Sequence, residues 1–159
     1  MPVVQDTFNT NYDIGYPGMI ANGETQNRIS RTITDAAGIA FGSAAFQGVG
    51  IHTCQKSSAA GAAKFLGIVI VDHGLPIMPG QTADVYPQYS NVPLFQRGSI
   101  WVKVGATAVT QSGQVAVLDA DGTFVPAGAG ATNLPGWQYD WATTPGNMVQ
   151  ISNNRAIAV

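Results

Sequence analysis

The chain has 159 residues and a formal net charge of -2, with seven Lys and Arg, nine Asp and Glu, and only 10% charged residues. This length allows one domain with a sizeable core, and the few Lys and Arg exclude the basic surface that a nucleic-acid backbone requires. An ordinary soluble domain carries about 25% charged residues to stay dispersed, so the shortage favours a protein whose surface is largely covered by other proteins.

The first 35 residues are predicted to form an extended N-terminal arm. The apolar side chains of Tyr12, Tyr16 and Met19 are spaced irregularly, which is typical of neither a helix nor a strand. A disordered tail is the alternative, but disordered segments usually contain few aromatic residues. Because such an arm cannot bury these side chains against itself, we expect it to lie on its own body or on a neighbouring protein.

Residues 36–159 are predicted to form a β body. Residues 46–51 read as part of a strand, and residues 64–72 are a continuous apolar run expected to be buried on both faces. Between them, residues 57–63 lack an apolar stripe and are interpreted as a surface loop, with a short helix as the alternative. Repeated prolines in residues 74–93 remove ladder donors and favour a loop or a sheet edge.

The clearest alternation lies in residues 100–104, where the apolar side chains of one face are expected in the core and Trp101 lies on the other face. Residues 119–122 predict a hairpin turn, and the glycine-rich residues 126–136 predict a flexible segment. The apolar residues 148–151 and 156–159 are expected to add a last strand to a sheet. About eight to ten short strands without a convincing helix predict an all-β, jelly-roll-like sandwich or barrel.

An aromatic row follows the flexible segment. Trp137, Tyr139 and Trp141 occupy alternate positions, so their side chains fall on one face of a strand. Such a row can pack in the core, dock a protein or stack on a sugar. Burial of these side chains in the monomer would favour core packing, and exposure would favour a protein-binding or sugar-binding surface.

No catalytic, metal-binding or cofactor-binding constellation is predicted, so we expect a protein that is not an enzyme. Asp72 and His73 would point to opposite faces of a strand, and neither His73 nor His52 has a third ligand at metal spacing. Residues 119–122 resemble the start of a calcium loop, but Glu24 is the only glutamate and lies far away. A nucleophile, base and orienting group are therefore not found together.

Three further classes are disfavoured. Cys54 is the single cysteine, which excludes an internal disulfide and predicts a small buried thiol. The longest apolar run, residues 65–71, is about a third of the length of a membrane-spanning helix. Residues 1–6 lack the basic and apolar parts of a signal peptide, so we expect synthesis and retention in a cytoplasm.

Loose patterns along most of the chain carry a family resemblance. They lie in Tyr16-Pro17-Gly18-Met19, in residues 38–50, 65–68 and 85–89, and most clearly in residues 98–104 followed by residues 114–117. Through these segments the chain resembles the structural cement, or capsid decoration, proteins of tailed bacteriophages.

The resemblance implies a β-barrel or jelly-roll-like protein on the outside of an icosahedral head. Members of such families bind where subunits of the major capsid protein meet, often as homodimers or homotrimers, and they brace the shell against the pressure of the DNA inside. No active site or cofactor is implied. We expect neither a nucleic-acid partner nor a membrane partner, and we expect synthesis in the host bacterial cytoplasm.

The residues expected to contact partners are the apolar residues of the arm and the aromatic row: Tyr12, Tyr16, Met19, Trp137, Tyr139 and Trp141. A phage fibre or surface adhesin domain that binds host glycans is the alternative, because it would share the low charge and the β-rich sequence.

Overall fold

The computed structural model describes residues 15–22, 26–56, 64–75, 80–118, 122–128 and 130–153. Those ranges contain twelve β-strands and no α-helix, which confirms the predicted all-β class. The strands are β1 (Asn27–Ile33), β2 (Ile39–Ala40), β3 (Ala44–Gln47), β4 (Thr53–Gln55), β5 (Phe65–Val69), β6 (Val85–Tyr86), β7 (Asn91–Arg97), β8 (Ser99–Lys103), β9 (Gln114–Leu118), β10 (Phe124–Pro126), β11 (Ala131–Tyr139) and β12 (Met148–Ser152). Within the same ranges, no helix has the length and hydropathy needed to cross a membrane.

Five strands close into a barrel in the order β1-β4-β3-β5-β7. Strand β1 is parallel to β4 and antiparallel to β7, and the other neighbours are antiparallel. Closure satisfies the strand edges within the barrel itself, which removes the usual template for edge-to-edge aggregation. Strands β2 and β6 form a separate two-stranded sheet.

Strand β1 belongs to the barrel, although its residues were predicted to lie in the arm. The arm was predicted to span residues 1–35, yet Asn27–Ile33 pairs with two barrel strands. The polar residues of this strand hide its alternation, because Arg28 is exposed whereas Ile29 packs against the barrel core and Ile33 is fully buried in it. The body therefore includes β1, and the arm ends before it.

The second sheet has the strand order β10-β9-β11-β12-β8 and is antiparallel throughout. Its two outer strands approach each other through an isolated parallel bridge between Val104 and Phe124. The N–H of Gly105 also donates to the Phe124 carbonyl at 2.9 Å. The sheet therefore curls toward a second barrel, so the molecule has features of both predicted architectures, sandwich and barrel.

One wall of the barrel, made of β3, β5 and β7, is buried on both faces. Val69 and Leu94 pack inside the barrel, whereas their neighbours Ile68 and Phe95 pack against the second sheet. This double burial is what the apolar run of residues 64–72 predicts. The shared wall joins the two cores into one body.

The prediction of a loop or a sheet edge at residues 74–93 fits β6, an edge of the two-stranded sheet, but is wrong for the start of β7 in the closed barrel. Strand β6 and the start of β7 lie within these residues. Pro93 is a residue of β7, and its carbonyl accepts a hydrogen bond from the Ile70 N–H at 3.0 Å. A proline in a strand removes one donor but keeps its acceptor, so a strand can form around it.

The predicted flexible segment at residues 126–136 is also partly wrong, because β11 begins at Ala131. Its pairing with β9 is regular up to Asn133 and resumes at Gln138. Pro135 lies in that irregular interval, so its missing N–H removes no regular hydrogen bond between β11 and β9.

Three predicted features lie outside the described residues. They are the loop or helix at residues 57–63, the centre of the hairpin turn at residues 119–121 and the 156–159 part of the predicted last strand, whose 148–151 part lies in β12. The strands that flank the turn, β9 and β10, form an antiparallel pair as a hairpin requires.

Candidate interaction surfaces

The described part of the arm, residues 15–22, lies on the edge of β8. The Gly18 N–H donates to the Trp101 carbonyl at 2.8 Å, and the Trp101 N–H donates to the Met19 carbonyl at 2.9 Å. Ile20 forms an isolated antiparallel bridge with the same strand. The arm therefore extends the second sheet and covers an edge that would otherwise offer hydrogen bonds to another protein.

Gly18 occupies a position that favours glycine for two reasons. Its φ is +81°, and a Cβ on it would lie 2.6 Å from the Val69 carbonyl oxygen. The Gly18 carbonyl also accepts a hydrogen bond from the Val71 N–H at 3.0 Å. Gly18 thus joins the arm to the second sheet on one side and to the end of β5 on the other.

We expect Gly18→Ala to lower the free energy of unfolding by about 2–4 kcal/mol, because it adds a backbone clash to a left-handed conformation. Gly80→Ala is the matched control, since Gly80 has φ +86° and no described atom within 4 Å of its Cβ position. The control is expected to cost about 1–2 kcal/mol. Urea unfolding measures both, and equal losses would contradict the close approach at Gly18.

Tyr16 attaches the arm to the segment before β6. Its hydroxyl donates to the Asp84 carboxylate, and this hydrogen bond, with burial and the Asp84 charge, raises the pKa of Tyr16. The ring lies 5.2 Å from the His73 ring, centroid to centroid, at an interplanar angle of 57°. The partly buried ring therefore contacts its own body, and its predicted contact with a partner stays a prediction.

The other two arm residues remain predictions as partner contacts. Met19 is partly buried and its carbonyl bonds to β8. Tyr12 lies outside the described residues. The described arm segment thus matches an arm that lies on its own body, which was one of the two expected positions.

Trp137 and Tyr139 lie in the core between the barrel and the second sheet, and each is only 1% exposed. The Trp137 ring packs 6.4 Å from the Phe95 ring, centroid to centroid. The Tyr139 hydroxyl donates to the Val125 carbonyl at 2.9 Å, and burial raises the pKa of Tyr139. Their burial contradicts the expected partner-binding patch for these two side chains and favours the core alternative.

Trp141 is partly buried and differs from the rest of the aromatic row. Its ring meets the Trp101 ring edge to face, with centroids 5.3 Å apart. Gly15 packs on Trp101 so closely that a Cβ on it would overlap the indole. Trp101 is therefore covered although it faces away from the core, and a partner contact of Trp141 stays a prediction.

The exposed large apolar side chains of the described residues are Val49, Ile51 and Tyr89, with exposed fractions of 102%, 84% and 75%. The Thr32 N–H donates to the His52 carbonyl and the Tyr89 N–H donates to the Ile33 carbonyl, both at 2.9 Å. The turn with Val49 and Ile51 precedes β4, which is parallel to β1, and the turn with Tyr89 precedes β7, which is antiparallel to β1, so the two turns extend toward opposite ends of β1.

The strand predicted at residues 46–51 ends early, at Gln47. Residues 48–52 form the turn between β3 and β4. Gly48 and Gly50 flank Val49, and this spacing of glycines is the signal that could have predicted a turn. No comparable sequence signal predicts that Val49 and Ile51 are exposed, because an apolar residue beside a strand is usually buried.

A groove of about 580 Å³ opens beside the arm. Tyr16, Phe41 and Phe124 supply aromatic lining, and Lys56 and Lys103 supply amines. Among the residues that the structure describes, no three His, Cys, Asp or Glu side chains come together as a metal site. The groove thus combines an apolar lining with two amines and the Asp84 carboxylate.

Cys54 lies inside the barrel and is fully buried. Burial, aided by the nearby Asp35 charge, raises the pKa of the Cys54 thiol to about 11. The thiol therefore stays protonated at neutral pH and is a poor nucleophile. The prediction of a small buried thiol is confirmed.

Comparison with known proteins identifies the family. The family model described as "Structural cement protein (E217 gp24/Pam3 gp6)" matches residues 4–154. Because this match covers nearly the whole chain, the chain belongs to the phage structural cement protein family. The resemblance inferred from sequence patterns is thereby confirmed.

A solved structure from a phage capsid has the same architecture as this chain. A chain from "The capsid of Myoviridae Phage XM1" is similar with a TM-score of 0.71 and 15% identity, covering 97% of this chain and 99% of that chain. At this identity the similarity establishes a shared fold. The head fiber gp8.5 N base of bacteriophage phi29 gives a TM-score of 0.43 at 11% identity, over 80% of this chain and 92% of that one, and a score of this size establishes no shared fold. No curated protein matches the chain.

Proposed function

We propose that this chain is a non-enzymatic cement protein that binds the outer surface of a phage head and bridges subunits of the major capsid protein. The family match over residues 4–154 carries the proposal. The shared fold with a chain of a phage capsid, over nearly the full length of both chains, supports it. Synthesis takes place in the host bacterial cytoplasm, and the protein then joins the exterior of the virion.

A bridge between capsid subunits needs a body that does not deform and more than one contact. The wall shared by the barrel and the second sheet supports the first requirement, because β3, β5 and β7 pack on both faces. For the second, each contact that forms makes the next one effectively intramolecular, so several weak contacts bind strongly together. Self-association as a homodimer or homotrimer would multiply these contacts further.

The low charge of the chain fits the same role. Only 10% of its residues are Asp, Glu, Lys or Arg. A buried ion loses hydration, and its partner in the interface does not always compensate for that loss. A surface with few charged groups avoids most of this cost when the shell covers it.

Addition of the purified protein to parent heads that lack it tests the proposal. We expect saturable binding to a fixed number of sites per head and slower release of DNA on heating. An unrelated β-sandwich protein of similar size, at the same concentration, is the control. Binding that never saturates, or heads whose heat stability does not change at full occupancy, would contradict the proposed function.

A further inference from the structure

We propose that the groove beside the arm binds residues 6–14 of a second copy of this chain, so that copies exchange arms. This inference deepens the proposed function, on which it rests, because it names the surface through which copies of the cement protein associate. It draws on the lining of the groove, the sequence of the arm and the path of the arm past its own groove.

The groove is built from three parts of the structure. Tyr16 and Pro17 belong to the arm, Phe41 lies between β2 and β3, and Phe124 is the first residue of β10. The volume of the groove, about 580 Å³, is within the range of clefts that bind ligands. Because these four lining side chains are apolar or aromatic, the groove can receive apolar side chains of a partner.

Two amines give the groove a positive lining. Lys56 and Lys103 both line it, and among the lining residues that the structure describes Asp84 is the one carboxylate. The Asp84 carboxylate accepts a hydrogen bond from the Tyr16 hydroxyl. The described lining therefore has one more cation than anions, and it is complementary to a segment with acidic side chains.

Residues 6–14 have the composition that fits this lining. They contain two acids, Asp6 and Asp13, and the apolar or aromatic residues Phe8, Tyr12 and Ile14. No Lys or Arg occurs in residues 1–14. Each acid lies within two residues of an aromatic side chain, so one short segment carries both kinds of group that the groove can bind. Two carboxylates are also available for two amines.

The path of the described arm favours the groove of another copy. Tyr16 lines the groove, but the preceding residue, Gly15, packs on the Trp101 indole, and neither Gly15 nor Trp101 is a lining residue. The chain therefore leaves its own groove at Gly15, and residues 6–14 must reverse direction to enter it. The groove of a second copy does not require this reversal.

Exchange of arms joins two copies by the same contact made twice. In a two-fold dimer each copy inserts its own arm and receives the arm of the other. On a shell the copies are already held close together, so the exchange is effectively intramolecular and is strengthened accordingly. The arms then connect neighbouring cement proteins as well as covering part of each one.

Charge-reversed variants test the exchange. The groove variant, Lys56→Glu with Lys103→Glu, keeps the wild-type arm, and the arm variant, Asp6→Lys with Asp13→Lys, keeps the wild-type groove. Each variant alone is expected to self-associate at least about tenfold more weakly than the wild type, because its arm and its groove carry like charges. Sedimentation equilibrium of the full-length protein measures the dissociation constant.

An equimolar mixture of the two variants distinguishes a second copy from the same copy. In the mixture the acidic arm of the groove variant meets the amines of the arm variant, and the basic arm meets the new carboxylates. We therefore expect the mixture to associate like the wild type. If each arm entered its own groove, mixing would restore nothing.

Lys64→Glu with Arg97→Glu is the matched control, because it makes the same change of charge at two exposed cations outside the groove. It should self-associate like the wild type. The arm variant keeps the test decisive if the groove variant is unstable, because its substitutions precede the residues that bond to β8. Thermal unfolding of each variant identifies any loss of the folded state.

The outcomes separate the inference from the proposed function. A wild-type protein that stays monomeric up to about 1 mM, a mixture that associates no better than its components, or a control as weak as the groove variant would overturn the inference. Saturable binding of that same wild-type protein to heads would leave the function intact. Restored association in the mixture, with no binding of the wild type to heads, would support the exchange and contradict the function.

Discussion

Trp137→Ala is expected to lower the free energy of unfolding by about 3–5 kcal/mol. The side chain is 1% exposed and packs against Phe95 of the shared wall. Its removal leaves a cavity between the barrel and the second sheet, and the rigid wall cannot fully close it. Guanidinium unfolding at 25 °C, followed by far-UV circular dichroism, measures the loss.

Trp141→Ala is the control for this substitution, because Trp141 carries the same side chain at a partly buried position of the same aromatic row. Its expected cost is about 1–2 kcal/mol. A loss below about 1 kcal/mol for Trp137→Ala, together with lost binding to heads, would contradict the core position and restore the aromatic patch. The glycan-binding alternative has the same requirement, since a ring must be exposed to stack on a sugar.

Deletion of residues 1–14 is expected to weaken binding to heads at least about tenfold and to leave a folded body. The contacts that attach the arm to β8, formed by residues 15–22, remain in this variant. The lost segment contains Tyr12, which is predicted to contact a partner. Sedimentation with heads measures the binding, and thermal unfolding of the free protein measures the body.

Deletion of residues 1–22 is the matched comparison. It also removes the bonds to Trp101 and uncovers the edge of β8, so we expect a lower Tm and concentration-dependent aggregation. If the shorter deletion binds heads like the wild type, the arm makes no shell contact. If the longer deletion has the wild-type Tm, the described arm segment does not stabilise the body.

Much of the fold was predictable because some strands carry unmixed patterns. Residues 65–71 carry no polar side chain, and β5, which lies within them, is buried on both faces. Ile100, Val102 and Val104 alternate with polar or aromatic neighbours, and all three lie in the core. Strand β1 was missed because Arg28 and other polar residues lie between its buried side chains, so its apolar positions are too few to mark a face.

The candidate site was harder to predict, because periodicity shows which side chains share a face but not which face is covered. Trp101 points away from the core as predicted, yet Gly15 and Trp141 cover it. Trp137 and Tyr139 do share a face, but that face is the core. The exposure of Val49, Ile51 and Tyr89 depends on where the strands of the barrel end in space, and the local sequence does not determine that.

The structure shows where the residues without charged side chains lie. The uncharged residues 36–55 include β3, β4 and the exposed turn between them. The shortage of charge is thus not only a property of the interior. It extends to a surface that is exposed in the free protein, where a partner could cover it.

Electron microscopy of the parent particle tests the central claim most directly. We expect density on the outer surface of the shell that fits the barrel and the second sheet as one body. This density should contact at least two subunits of the major capsid protein. Density for this chain on the tail or on a fibre, or a shell without it, would contradict the account.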